Sequence, residues 1–290
     1  MTTLGVVFRP QQPPERLREV VRAADSSGLE ELWLWEDCFL EGGVSTAAAA
    51  LAWSERVRIG VGVLPVPLRN VAITAMELAT LERMFPGRGI WGVGHGVQEW
   101  MGQVGERVAS PLTLLREYLE ALRALLAGER ITVRGRYVQL DGVALDWPPP
   151  AAPPILAAAT GPKTLELVGA AADGVILTNS TSAAGIRSAV ETLRAARPEA
   201  AAAQPYPVVV YLLAATGPGA AERVAADLAS QDRDGIPDLG AAGDARAIAD
   251  TVIRWAEAGA TSVVLQPTAD EPDPAGFVRF AAEQVRPLLP

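Results

Sequence analysis

Short apolar runs alternate with longer amphipathic segments along most of the chain, and this alternation predicts strands that are each followed by a helix. Glycine, proline or polar residues bound each run, as is typical of strands buried in a parallel sheet. The predicted strands lie at residues 4–8, 31–35, 57–63, the first part of 89–102, 155–159, 174–178, 206–213 and 262–265.

The segments between the strands carry apolar residues at helical spacing, together with helix boundary signals. Pro13 and Pro14 open the first helix and Gly28 ends it, while Ser45 is predicted to cap an alanine-rich helix. Further helices are predicted at residues 71–85, 111–126, 186–194, 219–229, 244–258 and 277–288, and one more begins at Pro162.

This order of elements predicts an α/β fold, a (β/α)8 or TIM barrel, as a single domain over residues 1–290. Residues 129–141 alternate around Gly135 and predict a small hairpin inserted before the fifth strand. An open doubly wound sheet is the main competitor, but it would need a glycine fingerprint after the first strand, and Phe8-Arg9-Pro10 is not one. In a barrel, the chemistry lies on the loops that follow the strands.

Composition narrows the classes of function. The 290 residues are 49% hydrophobic and carry a net charge of −9, which argues against nucleic acid or an anionic membrane surface as the main partner. The sequence shows no signal peptide and no apolar stretch long enough to cross a membrane. The single cysteine, Cys38, excludes a disulfide within the chain. We therefore expect a cytoplasmic protein that acts on a small molecule.

The stretch 89–102 is the strongest candidate for chemistry, because it turns from a buried strand into glycines and carries the only histidine, His95. Glycines at a strand end allow a close backbone approach to a flat ligand, and a tight turn is the alternative explanation. His95 is a candidate proton donor or acceptor near neutral pH, and a structural histidine bonded to the backbone is its alternative. Asp37 is a second candidate, with a helix cap or a solvated carboxylate as its alternative.

Other residues have weaker signals. Trp33 and Trp91 are expected to fill the barrel wall, and Trp35 and Trp100 to line a pocket. The candidates for contact with an anion are Arg9, Arg69 and Arg107. With one histidine and one cysteine, no metal site is expected, and no Gly-x-Ser-x-Gly sequence marks a hydrolase.

Four segments carry a family resemblance that extends from residue 4 to about residue 265. They are Ile59-Gly60-Val61-Gly62-Val63, Phe85-Pro86-Gly87-Arg88, Gly92-Val93-Gly94-His95-Gly96 and Ala170-Ala171-Ala172-Asp173-Gly174. Together they resemble the bacterial luciferase-like superfamily, which includes flavin monooxygenases and reductases that depend on the deazaflavin coenzyme F-420 (F420). The resemblance implies a barrel with the cofactor ring over the carboxyl ends of the strands.

The resemblance also implies roles for single residues. In the deazaflavin branch an Asp-His pair often follows the second strand, and here Asp37 matches the aspartate while Cys38 replaces the histidine. A bulge with a non-prolyl cis peptide often backs the ring after the third strand, and it would fall on Gly62-Val63-Leu64. Some of these reductases carry an acidic residue where Val97 stands, so this chain departs from the sugar-phosphate dehydrogenases.

The expected cofactor contacts follow from the same resemblance. They are Asp37, Gly62, Val63, Leu64, His95, Gly96, the phosphate loop Ala158-Ala159-Thr160-Gly161, and Thr178 with Asn179. The expected function is hydride transfer between coenzyme F420 and a small organic substrate, with His95 and Asp37 as catalytic residues. An FMN-dependent monooxygenase and a non-catalytic flavin-binding protein are the alternatives. The family often forms dimers through barrel helices, so a homodimer is also expected.

Overall fold

Parallel strands close into a barrel in the computed structural model, which describes residues 2–201, 203–233 and 236–290. In chain order the strands are β1 (Thr3–Phe8), β2 (Glu31–Leu34), β3 (Arg58–Pro65), β4 (Gly89–Gly94), β5 (Ile131–Arg134), β6 (Gln139–Val143), β7 (Ile155–Ala158), β8 (Gly174–Leu177), β9 (Val208–Ala215), β10 (Gly240–Ala242) and β11 (Ser262–Pro267). Neighbours pair in the order β9-β11-β1-β2-β3-β4-β7-β8, and β8 pairs in turn with β9. This closure confirms the predicted TIM barrel.

In the described ranges, three strands lie outside this ring of eight. β5 and β6 form the antiparallel hairpin that the sequence predicts before the fifth barrel strand. β10 pairs in parallel with the carboxyl-terminal half of β9, with Gly240 beside Leu213. The sequence did not predict β10, because three small residues show neither apolar alternation nor a turn signal of their own.

The helices surround the barrel and largely follow the predicted segments. They are α1 (Leu17–Ser27), α2 (Gly43–Ala52), α3 (Val71–Met84), α4 (Gln98–Gln103), α5 (Pro111–Leu126), α6 (Pro162–Ala171), α7 (Ala183–Ala196), α8 (Ala220–Ala229), α9 (Ala245–Glu257) and α10 (Pro274–Phe280). None of the helices in the described ranges is long and apolar enough to cross a bilayer.

Helix α4 lies where the sequence predicted a loop, and several helix boundaries also differ from the prediction, two of them for a clear physical reason. Ser45 does not cap α2, which begins earlier, and its first amide, that of Gly43, donates to the Glu36 carboxylate at 2.6 Å. The cap therefore comes from Glu36, outside the helix, whereas local capping rules consider only the residues next to the helix start. The predicted helix over 277–288 is α10 followed by a π-helical turn (Ala281–Val285) and a 3-10 turn (Arg286–Leu288), which contains Pro287.

Side chains that alternate along the strands divide into an inner cluster and a layer under the helices. The inner cluster consists of Val7, Trp33, Ile90, Leu156, Ile176, Val209, Tyr211 and Val264. Trp33 and Tyr211 meet edge to face, with ring centroids 6.0 Å apart. A Cβ on Gly60 of β3 would lie 2.4 Å from the Trp33 indole, so glycine is needed opposite it.

The amino-terminal end of the barrel is closed by one buried carboxylate. Glu31 accepts hydrogen bonds from the Trp33 indole N–H at 2.9 Å and from the Ser262 hydroxyl at 2.8 Å, and Arg58 lies 3.4 Å away. Trp91 points outward instead and donates to Glu82 on α3 at 2.7 Å. Both tryptophans are completely buried, in agreement with the expectation that they fill the barrel wall.

Candidate functional site

The predicted site residues follow strands of the barrel at their carboxyl ends, the end that carries the chemistry in folds of this kind. Asp37 follows β2, Gly62, Val63 and Leu64 lie in the second half of β3, and His95 with Gly96 follows β4. Ala158 ends β7, with Ala159, Thr160 and Gly161 after it, and Thr178 and Asn179 follow β8. The fold thus brings all of these segments to one rim.

The pairing of β3 with β4 contains a bulge at Gly62 and Val63. The register shifts between Val61 and Leu64, and the Gly62–Val63 peptide bond is cis. The hydroxyl of Tyr211 donates to the Gly62 carbonyl at 3.4 Å from beneath. Leu64 is buried in the layer under the helices, so it presents only its backbone to the rim.

The glycines of β4 make room for this bulge. A Cβ on Gly94 would lie 2.8 Å from the Val63 side chain, and one on Gly92 would lie 2.5 Å from Ile176. The glycine pattern that drew attention in the sequence therefore has a packing cause inside the barrel. Gly96 adopts a φ of +67°, a turn conformation that favours glycine.

Two buried polar atoms face the upper part of the barrel interior without a hydrogen-bond partner in the described ranges. They are the indole Nε1 of Trp35, which lies close to the Tyr211 hydroxyl without meeting hydrogen-bond geometry, and the amide Oε1 of Gln266. Gln266 is 1% exposed and lies two residues beyond Val264, on the inner face of β11. Buried polar groups are nearly always paired, so an unpaired donor and an unpaired acceptor at this rim fit a polar ligand.

Trp35 was expected at the pocket, whereas Gln266 was missed. Trp35 packs its indole edge to face with Tyr211, with the centroids 5.2 Å apart. Gln266 directly follows the apolar run Val263-Val264-Leu265 within the same strand, and this polar residue at an inner position is the signal that could have identified it. We call Trp35, Val63, Ala158 and Gln266 the upper layer, because they lie above the inner cluster at the carboxyl end.

Asp37 is half-buried beside this layer. Burial raises the pKa of its carboxyl, and the positive charge of Arg9 opposes that rise. Arg9 itself is 8% exposed and donates to Asp227 of α8 at 2.7 Å and to the Pro267 carbonyl at 3.1 Å. Arg9 therefore fastens α8 across the ends of β1 and β11, and its charge is already paired.

His95 lies on the outer side of β4. Ile90 belongs to the inner cluster, Trp91 and Val93 belong to the outer layer, and His95 continues the outer positions. Its Nε2 lies 3.2 Å from the hydroxyl of Thr164 in the first turn of α6. Burial lowers the pKa of the imidazole and so favours the neutral ring, although the Pro111 carbonyl works against this.

The loop after β7 leads into an open helix N-terminus. Gly161 precedes α6 without a side-chain cap, and Pro162 occupies the first turn. A Cβ added to Gly161 would meet nothing within 4 Å, so the space beside it is free. The positive end of the helix dipole, reinforced by Lys163, favours an anion here.

The loop after β8 is tied to the segment that follows α8. The Asn179 amide group donates to Gln231 at 3.2 Å, and its oxygen accepts from the Arg233 guanidinium. Thr178 and Ser180 share a hydrogen bond of 2.7 Å between their hydroxyls. Asn179 thus fastens the segment that follows α8, and both ends of its amide are engaged within the protein.

The other two arginines singled out in the sequence are also engaged within the protein. Arg69 pairs with Glu36 at 2.8 Å and with Glu77 at 2.7 Å. Arg107 donates twice to the Gln98 carbonyl. In the part of the chain that the structure describes, no cluster of three or more His, Cys, Asp or Glu residues could hold a metal ion.

Comparison with known proteins gives consistent matches. The luciferase-like monooxygenase family matches residues 2–260. A 5,10-methylenetetrahydromethanopterin reductase from Methanolobus tindarius is 31% identical over 178 residues, covering 61% of this chain and 54% of that protein. An F420-dependent glucose-6-phosphate dehydrogenase from Kineococcus radiotolerans is 33% identical over 184 residues, covering 58% of this chain and 54% of that protein. The chain thus spans about half the length of these curated relatives.

A solved structure agrees with the fold over the whole chain. The coenzyme F420-dependent tetrahydromethanopterin reductase from Methanopyrus kandleri superposes with a TM-score of 0.83 at 19% identity, covering 100% of this chain and 99% of that one. At this identity the likeness concerns the fold alone.

The unpaired oxygen of Gln266 leads to a first prediction. Gln266→Leu should raise the free energy of unfolding of the ligand-free protein by about 1 kcal/mol, because it removes a buried acceptor that has no partner. Urea denaturation measures this change, with the exposed Gln139→Leu as the matched control. A clear loss of stability in Gln266→Leu alone would mean that the oxygen is paired in solution.

Glu41, in the loop between β2 and α2, leads to a second prediction. One of its carboxylate oxygens is buried without a partner in the described residues, and burial, assisted by the charge of Glu15, raises its pKa from 4.5 to about 7. A raised pKa in the folded state stabilises the protein below the unfolded value, and this contribution is lost as the pH rises through about 7.

Glu41→Gln should therefore be more stable than the wild type at pH 8 and nearly equal to it at pH 4, below the unfolded pKa of 4.5. Urea midpoints at both pH values test this, with the exposed Glu129→Gln as the control. Equal pH dependence in the wild type and Glu41→Gln would contradict the burial of a protonated carboxyl.

Proposed function

The chain belongs to the luciferase-like monooxygenase family, and on that premise we propose that it is an oxidoreductase that transfers hydride between coenzyme F420 and a small organic substrate. The observation that carries the proposal is the carboxyl-end rim of the barrel, which holds the Gly62–Val63 bulge on β3, the indole N–H of Trp35 after β2 and an unpaired acceptor on Gln266 of β11. The names of the curated relatives, which include F420-dependent enzymes, support the choice of cofactor.

We propose that the cofactor ring rests on the backbone of Gly62, Val63 and Leu64, with Asp37 and Gly96 at its border. The phosphate group would lie at Ala158-Ala159-Thr160-Gly161, where the N-terminus of α6 is open. Thr178 and Asn179 complete the predicted contacts. When bound, coenzyme F420 supplies a two-electron hydride carrier that reacts poorly with oxygen.

The residues of the chain have separate tasks in this proposal. Asp37 holds or releases a proton at its carboxylate, because burial brings its pKa closer to neutrality. The upper layer orients the reacting groups and excludes water from them. His95 keeps its place among the predicted catalytic residues, and its contact with Thr164 favours an orienting task at the start of α6.

The domain organisation, cellular location and number of subunits of the protein also stay predictions. We propose one domain over residues 1–290, a cytoplasmic location that cell fractionation tests, and a homodimer. Ile73, Met76 and Met84 are 49%, 54% and 63% exposed on α3, and an apolar helix face of this kind supports association between copies. Light scattering of the purified protein measures the number of subunits.

The experiment that tests the function is a titration of the purified apoprotein with F420, FMN and FAD, followed by tryptophan fluorescence. Trp35 lies at the proposed site, so binding should quench its emission. Selective binding of F420 is expected. Tighter binding of FMN would favour the FMN-dependent monooxygenase, and binding without hydride transfer to any substrate would favour the non-catalytic flavin-binding protein.

The open space at Gly161 gives a prediction for the phosphate. Gly161→Leu should weaken binding of intact F420 roughly tenfold or more, because the side chain fills the place of the anion. The fold should be unaffected, since a Cβ at this position meets nothing within 4 Å. Affinities for F420 and for a deazaflavin without the phosphate-bearing tail are compared in the same variant. Equal losses for both ligands would locate the phosphate elsewhere.

His95 gives a prediction about proton transfer. His95→Ala should lower turnover, whereas His95→Gln, whose amide can still bond to Thr164, should keep most of the rate. Turnover is measured at 420 nm with a substrate found by screening small alcohols and carbonyl compounds. A loss of about 100- to 10,000-fold in both variants would instead identify His95 as the proton carrier.

A further inference from the structure

Tyr211 lies at the centre of the barrel, directly beneath the bulge. It projects from β9, and four steps around the ring of eight strands separate β9 from β3, so the two strands face each other across the barrel. Tyr211 is 4% exposed and contacts the indoles of both Trp33 and Trp35 edge to face. Its side chain therefore spans the interior from one wall to the other.

The hydroxyl is the part of Tyr211 that contacts the bulge. It donates to the Gly62 carbonyl at 3.4 Å. A Cβ built on Gly62 would lie 2.0 Å from this oxygen, whereas the next nearest atoms, both in the Trp33 indole, would be 3.2 Å away. One oxygen atom thus accounts for the exclusion of a side chain at Gly62.

We propose that Tyr211 is a positioning residue for the cofactor, whose hydroxyl sets the height of the Gly62 carbonyl and so the surface that the bulge presents to the ring. The inference rests on the proposed function, because it takes the bulge as the support of the cofactor. Tyr211 does not touch the ring. It acts through Gly62 and, by packing, through Trp35.

The contact between Gly62 and Tyr211 can be tested by a double-mutant cycle, in which F420 affinity is measured for Gly62→Ala, Tyr211→Phe and their combination. Tyr211→Phe should weaken F420 binding roughly three- to tenfold, because it removes one hydrogen bond and keeps the ring. Gly62→Ala should weaken binding further, because its methyl group meets the hydroxyl. The double variant should bind F420 more tightly than Gly62→Ala, since the phenyl ring leaves room for the methyl group.

Two further measurements separate positioning from general stability. Tyr211→Phe should shift the absorption band of bound F420, and its urea midpoint should fall no further than that of Tyr206→Phe, which loses a comparable hydrogen bond. Tyr206→Phe is the control, because Tyr206 also donates to a carbonyl, that of Val168 at 3.1 Å, on a different part of the barrel. The control should leave both the affinity and the absorption band unchanged.

The outcomes distinguish this inference from the proposed function. If the wild type binds F420 and Tyr211→Phe binds it equally well with an unshifted band, the inference fails and the function stands. If the double variant binds no better than Gly62→Ala, the hydroxyl is not what excludes a side chain at Gly62, and the inference also fails. A wild type that binds no flavin-type cofactor overturns both. If Gly62→Ala does not fold, the F420 affinity and the absorption band of Tyr211→Phe still test the inference.

Discussion

The packing of two large aromatic side chains inside a narrow barrel is the constraint on which the rest of this structure depends. Trp33 and Tyr211 fill the interior edge to face. On β3, the strand opposite Tyr211, a Cβ at Gly60 would meet Trp33 and a Cβ at Gly62 would meet the Tyr211 hydroxyl. Val63 then occupies the space that Gly92 and Gly94 leave open on β4. The shape of the rim is therefore determined from below, by packing, before any ligand contact is considered.

The two ends of the barrel differ in how well their polar groups are paired. At the amino end, Glu31 accepts from two side-chain donors and lies near a third. At the carboxyl end, Trp35 and Gln266 each keep a buried polar atom without a partner in the described part of the protein. An unpaired buried group costs about 1–3 kcal/mol, so the carboxyl end gives up stability that the amino end keeps. This division agrees with barrels in general, whose stability and chemistry reside at opposite ends.

The sequence was sufficient to predict the barrel, the hairpin and the rim on which the site residues lie, because apolar runs with clear boundaries determine where strands begin and end. It was not sufficient for features that depend on the third dimension. The direction of His95 follows from the strand register relative to the helices, and the cap of α2 comes from Glu36 outside the helix. Gln266 gave a signal, a polar residue inside an apolar strand, but only the packing around it shows that its oxygen is unpaired.

The closure of the barrel joins the first strand to the last. Thr3 and Ser262 are paired neighbours in β1 and β11, so the whole segment from β1 to β11 must leave the ribosome before the ring can close. Until then, β1 and β9 expose unpaired edges, which invite association with other chains. Contacts between such distant segments also slow folding. Production of this protein should therefore be sensitive to the rate of synthesis and to chaperones, and a truncation before β11 should yield aggregates.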